Sequence, residues 1–505
     1  VADILLTTIN ARYIHSAISL RSLYANLGEL QSQAEIIEFN LTDRTGDIVE
    51  TILATKARII GIGVYIWNAL QVEHLIRTLK ALAPESTIVL GGPEASHLPH
   101  RVNLEPADHI ICGEGEISFY TLCTQLLSNT AQPERLLPQS LPDLNTLVMP
   151  YEFYTDEDIA HRIIYVEASR GCPFHCEFCL SSIDKRVRNF PLDHFLNALE
   201  QLWNRGARNF KFIDRTFNLD LNRVTKILDF FLEKTPSYQV HFEVVPDHFP
   251  QLLKEKLTAF PPGTLQLEVG IQTLDGVTAA NINRKLDMVK IQENLRFLEE
   301  QTNAHLHVDL IMGLPGESHR SFGRNLNQLM EMTTAEIQLG VLKKLSGTTL
   351  NRHDQNHRMV YSPLPPYEIL ANDLYDYRLM QEHKRFARFW DIVYNSGNFS
   401  QTVRLLWQDT TPYEGFSNFS KWLYQQTLAT WKISLKRLAE YLFHYLVETQ
   451  KMEAEMVANT IAADLLKLQG RRLPVIIRQH ATIVPAQGIS RTKATLGKRQ
   501  QKHLL

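Results

Sequence analysis

Short apolar runs alternate with stretches of helical periodicity along the first 129 positions. Asp3-Ile4-Leu5-Leu6-Thr7-Thr8 reads as a buried strand, and Ser16 to Leu30 carries apolar residues at helical spacing with a serine placed to cap it. Ala34 to Phe39 is a second strand, Asp47 to Thr55 a second helix, Arg58 to Tyr65 a third strand and Gln71 to Ala83 a third helix closed by Pro84. Thr87 to Leu90 and His109 to Cys112 follow as strands, with a helix from Ile117. This alternation predicts a parallel, doubly wound α/β sheet. In such sheets ligands bind beyond the carboxyl ends of the strands. Two of those ends run into glycine turns, Gly91-Gly92-Pro93-Glu94 and Gly113-Glu114-Gly115-Glu116. The turns are either a binding edge, where backbone amides approach a ligand, or tight connections with none.

Pro133 to Pro150 has several prolines and little periodicity, and reads as a linker. A second strand–helix series follows over Tyr151 to Tyr361. Its strands are expected at Ile163 to Ser169, Asn209 to Ile213, Gln239 to Val244, Leu265 to Val269, His305 to Ile311 and Ala335 to Leu342. From Pro365 to Leu468 the pattern is helical and aromatic, opening with a helix over Pro366 to Phe389. Trp407, Trp422, Trp431 and the run Tyr441 to Tyr445 are expected in further amphipathic helices, most of them as core. The expected division is therefore 1–132, a linker 133–150, 151–361, a helical region 362–475 and a basic flexible tail 476–505. Gly488 to Leu505 carries five Lys or Arg and no acid.

A chain of 505 residues is too long for one core. The formal net charge of −3 gives no basic excess that would point to nucleic acid. No segment reaches the length of a membrane span, and Val1-Ala2-Asp3 lacks a basic segment followed by an apolar run, so a cytoplasmic protein is expected. Five cysteines, odd in number and clustered, suit a reducing compartment and a metal site.

Three of the five, Cys172, Cys176 and Cys179, occupy Gly171-Cys172-Pro173-Phe174-His175-Cys176-Glu177-Phe178-Cys179, on the loop leaving a strand. Thiolates at this spacing can hold three irons of a 4Fe–4S cluster and leave the fourth iron without a protein ligand. A zinc site with His175 as fourth ligand, or three unrelated buried thiols, are the alternatives. Cys112 and Cys123 lie on a strand and a helix and are expected to be core.

The C-x3-C-x2-C spacing with an aromatic before the last cysteine resembles the radical S-adenosylmethionine (radical SAM) enzymes. Further strings support the resemblance. Asp309-Leu310-Ile311-Met312-Gly313-Leu314-Pro315-Gly316-Glu317 matches the family's D-x-I-x-G-L-P-G-E run, and Glu268-Val269-Gly270-Ile271-Gln272-Thr273 looks like its E-x-G-x-Q-S segment. Lys343 to Thr348 resembles its L-x-P-x-P-G-T without the prolines. The glycine turns of the first domain are similar to those of the cobalamin-binding domain fused to many radical SAM enzymes, although D-x-H-x-x-G is missing.

The resemblance implies a Rossmann-like cobalamin-binding domain, a partial (β/α)6 radical SAM barrel and a helical C-terminal extension. It implies three cofactors: a 4Fe–4S cluster on Cys172, Cys176 and Cys179, S-adenosylmethionine and cobalamin. S-adenosylmethionine would be contacted by Phe178, Asp214, Glu268, Gln272, Arg284, Asp309, Gly313 and Leu314. Asp214 would receive its ammonium, and Arg284 is as readily a salt-bridge residue. Cobalamin, with no histidine on cobalt, would lie near Asn10, His15, Tyr65, Trp67, Asn68, Gly91, Gly92, Pro93, Glu94, Gly113, Glu114, Gly115 and Glu116. The activity implied is cleavage of S-adenosylmethionine to a 5′-deoxyadenosyl radical and methylation of an unactivated carbon. Oxidation, cyclisation or rearrangement without methyl transfer, and a non-catalytic sensor, are the other readings. The partners implied are a small-molecule or other organic substrate and an electron donor of the flavodoxin or ferredoxin type. A methylthiotransferase is disfavoured, because those enzymes carry three more cluster cysteines in the N-terminal domain.

Overall fold

A computed structural model describes residues 2–130, 133–468 and 470–482. The basic segment 488–505 lies outside the described residues, as does the expected tail from 483 onward. The chain divides into two compact units. One comprises Val1–Glu243, Lys343–Asn351 and Tyr361–Glu368; the other comprises Val244–Leu342, Arg352–Val360 and the described residues from Ile369. Among the described residues no helix is long and apolar enough to cross a membrane.

The first unit begins with β1 (Ile4–Asn10), α1 (Ile18–Ala25), β2 (Ala34–Asn40), α2 (Thr45–Thr55), β3 (Ile59–Gly63) and α3 (Ala69–Leu82). It continues with β4 (Thr87–Gly91), β5 (His109–Gly113), α4 (Glu116–Ser128) and β6 (Leu136–Ser140). The strands form one parallel sheet in the order β2-β1-β3-β4-β5-β6. Side chains alternate across a strand, and here both faces are covered. Leu5 and Ile9 pack with Ile48, Ile52 and Leu75 from α2 and α3, while Ile4 and Leu6 pack with Leu20, Phe119 and Leu122 from α1 and α4. Burial on both sides explains why β1 opens on the apolar run Ile4-Leu5-Leu6 in place of an apolar–polar alternation.

Two expectations change here. The predicted helix Ser16 to Leu30 is α1 followed by a separate 3-10 turn, Gly28–Gln33, with Gly28 at φ +53 breaking the run. Leu136–Ser140, expected within the linker, is the edge strand β6 and pairs Ile110 with Leu136. It is mostly exposed, so it carries no alternating apolar signature.

The same unit continues with α5 (Asp156–His161), β7 (Ile164–Val166), β8 (Ser169–Arg170), β9 (Arg188–Asn189), α6 (Leu192–Asn204), β10 (Asn209–Phe212), α7 (Leu221–Leu232) and β11 (Gln239–Val244). β10 lies parallel to both β7 and β11. The strand expected over Ile163 to Ser169 is thus two pieces: β7 stays in the parallel sheet, and β8 turns away to pair antiparallel with β9.

The second unit contains α8 (Gln251–Thr258), β12 (Leu265–Gln272), α9 (Gly276–Asn281), α10 (Met288–Gln301), β13 (His305–Met312), α11 (His319–Met332) and β14 (Glu336–Val341). Here β13 lies parallel to β12 and β14. Leu265, Leu267, Val269 and Ile271 of β12 are buried with Leu306, Val308, Leu310 and Met312 of β13. The alternate positions of these strands carry polar side chains, among them Gln266, Glu268, His307 and Asp309.

The helix expected over Pro366 to Phe389 begins only at Tyr377 and runs to Trp390, capped by Asp376, whose side chain accepts from the Leu379 amide at 2.7 Å. Ahead of it Ile369–Ala371 is a strand, and Pro365 and Pro366 supply no amide donors for a helical turn. Trp407 lies just past a short helix, Thr402–Leu405, rather than inside one, and Trp431 is an exposed loop residue lying under the Arg388 guanidinium. Trp390, Phe386, Phe416 and Phe419 form the aromatic core expected of this region.

Candidate functional site

The β8–β9 hairpin encloses the cysteine loop. Gly171 takes φ +85, and a Cβ there would lie 2.1 Å from the Arg186 carbonyl oxygen, so only glycine lets the two legs of the loop close. The Cys172 amide donates to the Asp184 carbonyl at 3.1 Å, and the Cys179 amide to the Cys176 carbonyl at 3.2 Å. Cys172 and Cys176 are buried and Cys179 half-buried, with none in a disulfide. Burial pushes the Cys172 thiol up, and the neighbouring Cys179 and Cys176 push it further. A buried thiol held un-ionised at Cys172, with two further cysteines beside it, fits a site where a cationic centre supplies the missing charge. His175, the alternative fourth zinc ligand, is exposed. Phe178 is half-buried in the same loop.

Asp214, just beyond β10, holds the entry to this loop. Its carboxylate accepts from the Ala168 amide at 3.0 Å and from the Ser169 hydroxyl at 2.5 Å. Burial pushes it up to about 6, against those hydrogen bonds. It lines a cavity of about 260 Å³ together with Pro173 of the cysteine loop, Thr216 and Arg223.

A larger cavity, about 590 Å³, opens beyond the carboxyl ends of β3, β4 and β5. Gly91, Gly92, Pro93, Gly113, Glu114, Gly115 and Glu116 line it, as does Tyr65, whose hydroxyl pairs with Ser19 at 2.7 Å. Gly92 has φ +101, and a Cβ there would lie 2.6 Å from the Val64 carbonyl oxygen. The opposite wall comes from the cysteine-loop region: Leu180, Ser181, Ile183 and Asp184, with Ile213 and Arg215. Exposed glycine turns on one wall and a thiol-bearing loop on the other suit a large, flat ligand held next to a metal centre.

The other residues expected near cobalamin do not line this cavity. Asn10 donates to Glu38 at 2.6 Å. The Asn68 side chain is fully buried, bonding Thr8, Ile9 and Gly63 and accepting from the Tyr65 amide. Trp67 stacks on Tyr65 with centroids 4.5 Å apart and donates to the Ile9 carbonyl. Glu94 accepts from the buried Tyr367 hydroxyl at 2.5 Å. His15 meets the Tyr165 hydroxyl of β7 at 2.7 Å. These groups bind other protein groups. Among the cavity residues that escaped the sequence reading are Cys112, expected in the core but lining the wall, and His97, its pKa lowered by burial; Cys123 is core, as expected.

An ion-pair cluster joins the two walls, and its sequence signal is weak because its members are far apart in the chain. Arg170 of β8 reaches Glu114 at 2.6 Å, Glu116 at 2.7 Å and Glu167 at 2.9 Å, while Arg188 of β9 also pairs with Glu114. Burial pushes Glu167 up to about 7 despite Arg170, with Asp214 and Glu116 adding to the rise. For Glu116 burial acts in the same direction, but Arg170 outweighs it and the net shift is downward.

In the second unit Glu268, Gln272 and Asp309 belong to the polar face of β12 and β13. Gln272 has φ +72 and follows a bulge between Gly270 and Gln272. Arg284 donates to the Gly270 carbonyl. Gly313 packs against Ile369 and Met380, and Leu314 is fully buried. Glu317, the last residue of that string, is buried and accepts from Thr273 at 2.8 Å and Asn325 at 2.7 Å.

Three stretches match family models: residues 4–122 the B12 binding domain, 166–329 the Radical SAM superfamily, and 355–499 a protein of unknown function (DUF4080). Together with the fold, they define a radical SAM protein that carries an N-terminal B12-binding domain. The chain is similar to the cobalamin-dependent radical SAM methyltransferase TokK of Streptomyces tokunonensis, 24% identical over 335 residues, covering 59% of this chain and 49% of TokK. It is also similar to the uncharacterized methyltransferase sll1242 of Synechocystis, 30% identical over 146 residues, covering 28% of this chain and 27% of that protein. The matches thus span between about a quarter and a half of these curated relatives. Among solved structures, the cobalamin-dependent radical enzyme OxsB with aqua-cobalamin and S-adenosylmethionine bound aligns over 94% of this chain and 80% of its own, with TM-score 0.59 and 13% identity. The methyltransferase TsrM of Kitasatospora setae aligns over 68% of this chain and 76% of its own, with TM-score 0.54 and 16% identity. At these identities the likeness is one of fold.

Proposed function

We propose that this chain is a radical SAM enzyme that uses cobalamin to methylate an unactivated carbon of an organic substrate. One observation carries the reading: within a single compact unit, one cavity is walled by the glycine turns of the B12-binding sheet and by the loop that follows the three cysteines. A 4Fe–4S cluster with S-adenosylmethionine supplies a hydrogen-abstracting radical, and cobalamin supplies a methyl group. The chain's part is to bring these together and keep water out. Cys172, Cys176 and Cys179 hold the cluster. Asp214 fixes the loop's entry and offers a carboxylate beside it, while Phe178, Glu268, Gln272, Arg284, Asp309, Gly313 and Leu314 are the remaining candidates for S-adenosylmethionine. Gly91 to Pro93, Gly113 to Glu116 and Tyr65 receive cobalamin, with Asn10, His15, Trp67, Asn68 and Glu94 as the further candidates. Electrons come from an external low-potential donor.

The test is anoxic reconstitution with iron, sulfide, cobalamin and S-adenosylmethionine under a chemical reductant. The expected products are 5′-deoxyadenosine and S-adenosylhomocysteine, both lost in Cys176→Ala along with most of the iron. If Cys176→Ala keeps a full complement of iron and makes 5′-deoxyadenosine, the ligand assignment is wrong. 5′-Deoxyadenosine without S-adenosylhomocysteine would move the reaction to radical chemistry without methyl transfer.

A further inference from the structure

The polar face of β13 and β14 carries a second constellation, just ahead of the string that begins at Asp309. His305 and His307 stand two positions apart on β13, so both rings project from the same face, with centroids 4.6 Å apart. Glu336, at the start of β14, is the register partner of His307. Its Oε1 lies 2.7 Å from His305 Nε2, and its Oε2 lies 3.6 Å from His307 Nε2. Each residue offers a ligand atom, and all of these atoms lie within 4.8 Å of one another.

We infer that His305, His307 and Glu336 form a binding site for a divalent transition metal of zinc type. Two imidazoles and a carboxylate are a recognised donor set for such ions, with at least one position left to water. Ligands at about 2.0–2.1 Å from a tetrahedral zinc lie about 3.3 Å apart, and the two observed nitrogen–oxygen separations bracket that spacing. The Gln338 side-chain amide lies 2.6 Å from His307 Nδ1, the ring nitrogen that faces away from the proposed ion. With the Gln338 carboxamide turned so that its oxygen accepts from Nδ1–H, His307 presents a bare Nε2 to the ion. The three side chains are 10–16% exposed, enough for an ion to enter and little enough for it to be held. His305 and Glu336 are the first residues of their strands, whereas the glycine-rich string follows the carboxyl end of β13. The metal therefore clamps two neighbouring strands at their amino ends. The sequence signal is a His-x-His pair on a strand with a glutamate opening the next.

The test is metal analysis of the reconstituted full chain after exposure to zinc and desalting. Wild type is expected to hold zinc in addition to its iron. His305→Ala and His307→Gln should lose the zinc and keep the iron, which also shows that they fold; Gln338→Ala should weaken zinc binding by about 10-fold. Vacant cluster thiols can also take zinc, so the measurement is repeated in a Cys172→Ser/Cys176→Ser/Cys179→Ser background, where the histidine-dependent zinc should persist. Equal zinc in wild type and both histidine variants, or zinc that disappears with the cysteines alone, overturns the assignment in favour of an imidazole–carboxylate pair.

Discussion

Glu317 is fully buried, and both of its hydrogen-bond donors, Thr273 and Asn325, reach the same oxygen. Its Oε2 is buried with no hydrogen-bond partner, which suits a protonated acid. Burial pushes the group up to about 8 from its ordinary 4.5. A carboxyl whose folded value is raised stabilises the fold fully only below its unfolded value, and that contribution is lost as pH rises toward the folded one. Glu317→Gln reproduces the protonated shape without the ionisation. Relative to the variant, wild type should lose up to about 1.4 kcal/mol of stability per pH unit between about pH 5 and pH 8. Urea unfolding of both proteins across that range checks it; parallel pH profiles would show that Glu317 is ionised in the fold. The identity of this acid was visible in the D-x-I-x-G-L-P-G-E string, but its burial was not. That depends on Thr273 and Asn325 closing over it from β12's end and from α11.

Legibility at the scale of elements follows burial. The strands β1, β3 and β4 are covered on both faces and stand out in the sequence, and Gln239–Val244 runs over the residues expected of it. The elements missed are those defined by partners: β6 is an exposed edge strand, and β8 exists only through its pairing with β9. The cysteines announce themselves by spacing, whereas Arg170 does not, since Glu114 and Glu116 lie 56 and 54 positions before it. Yet Arg170 is what ties β8 to the glycine turn after β5. Arg170→Met would leave Glu114, Glu116 and Glu167 short of a cation in a largely buried setting. Breaking a buried pair in this way costs about 3–5 kcal/mol. The loss should be smaller in acid, where the stranded carboxyls can protonate, and larger above neutrality. Denaturant unfolding at acidic and at mildly alkaline pH reads both effects; a variant as stable as wild type would mean that the cluster is a bystander.

At the scale of the molecule, the proposed cobalamin and cluster sites share walls, and that has a thermodynamic consequence. Leu180, Ser181, Ile183 and Asp184 follow the last cysteine directly and face the cavity that the glycine turns open into. Asp184 is held twice over: its carbonyl accepts from Cys172, and its carboxylate pairs with Arg188, which also grips Glu114. On the proposed assignment, a filled cluster would order the loop and so complete one wall of the cavity, whereas an empty loop would have to be ordered by cobalamin itself. Such linkage is reciprocal, and values of 1–3 kcal/mol are typical. Hydroxocobalamin should therefore bind the cluster-loaded chain about 10-fold more tightly than Cys172→Ser/Cys176→Ser/Cys179→Ser, a difference of about 1.4 kcal/mol. By the same cycle, saturating cobalamin should make iron about 10-fold harder to withdraw by a chelator at equilibrium. Both arms can be read by absorbance on one anoxic preparation. Equal cobalamin affinity with and without the cluster would mean that the loop is already ordered by Arg170, Arg188 and their carboxylates alone, and that the two cofactors bind independently.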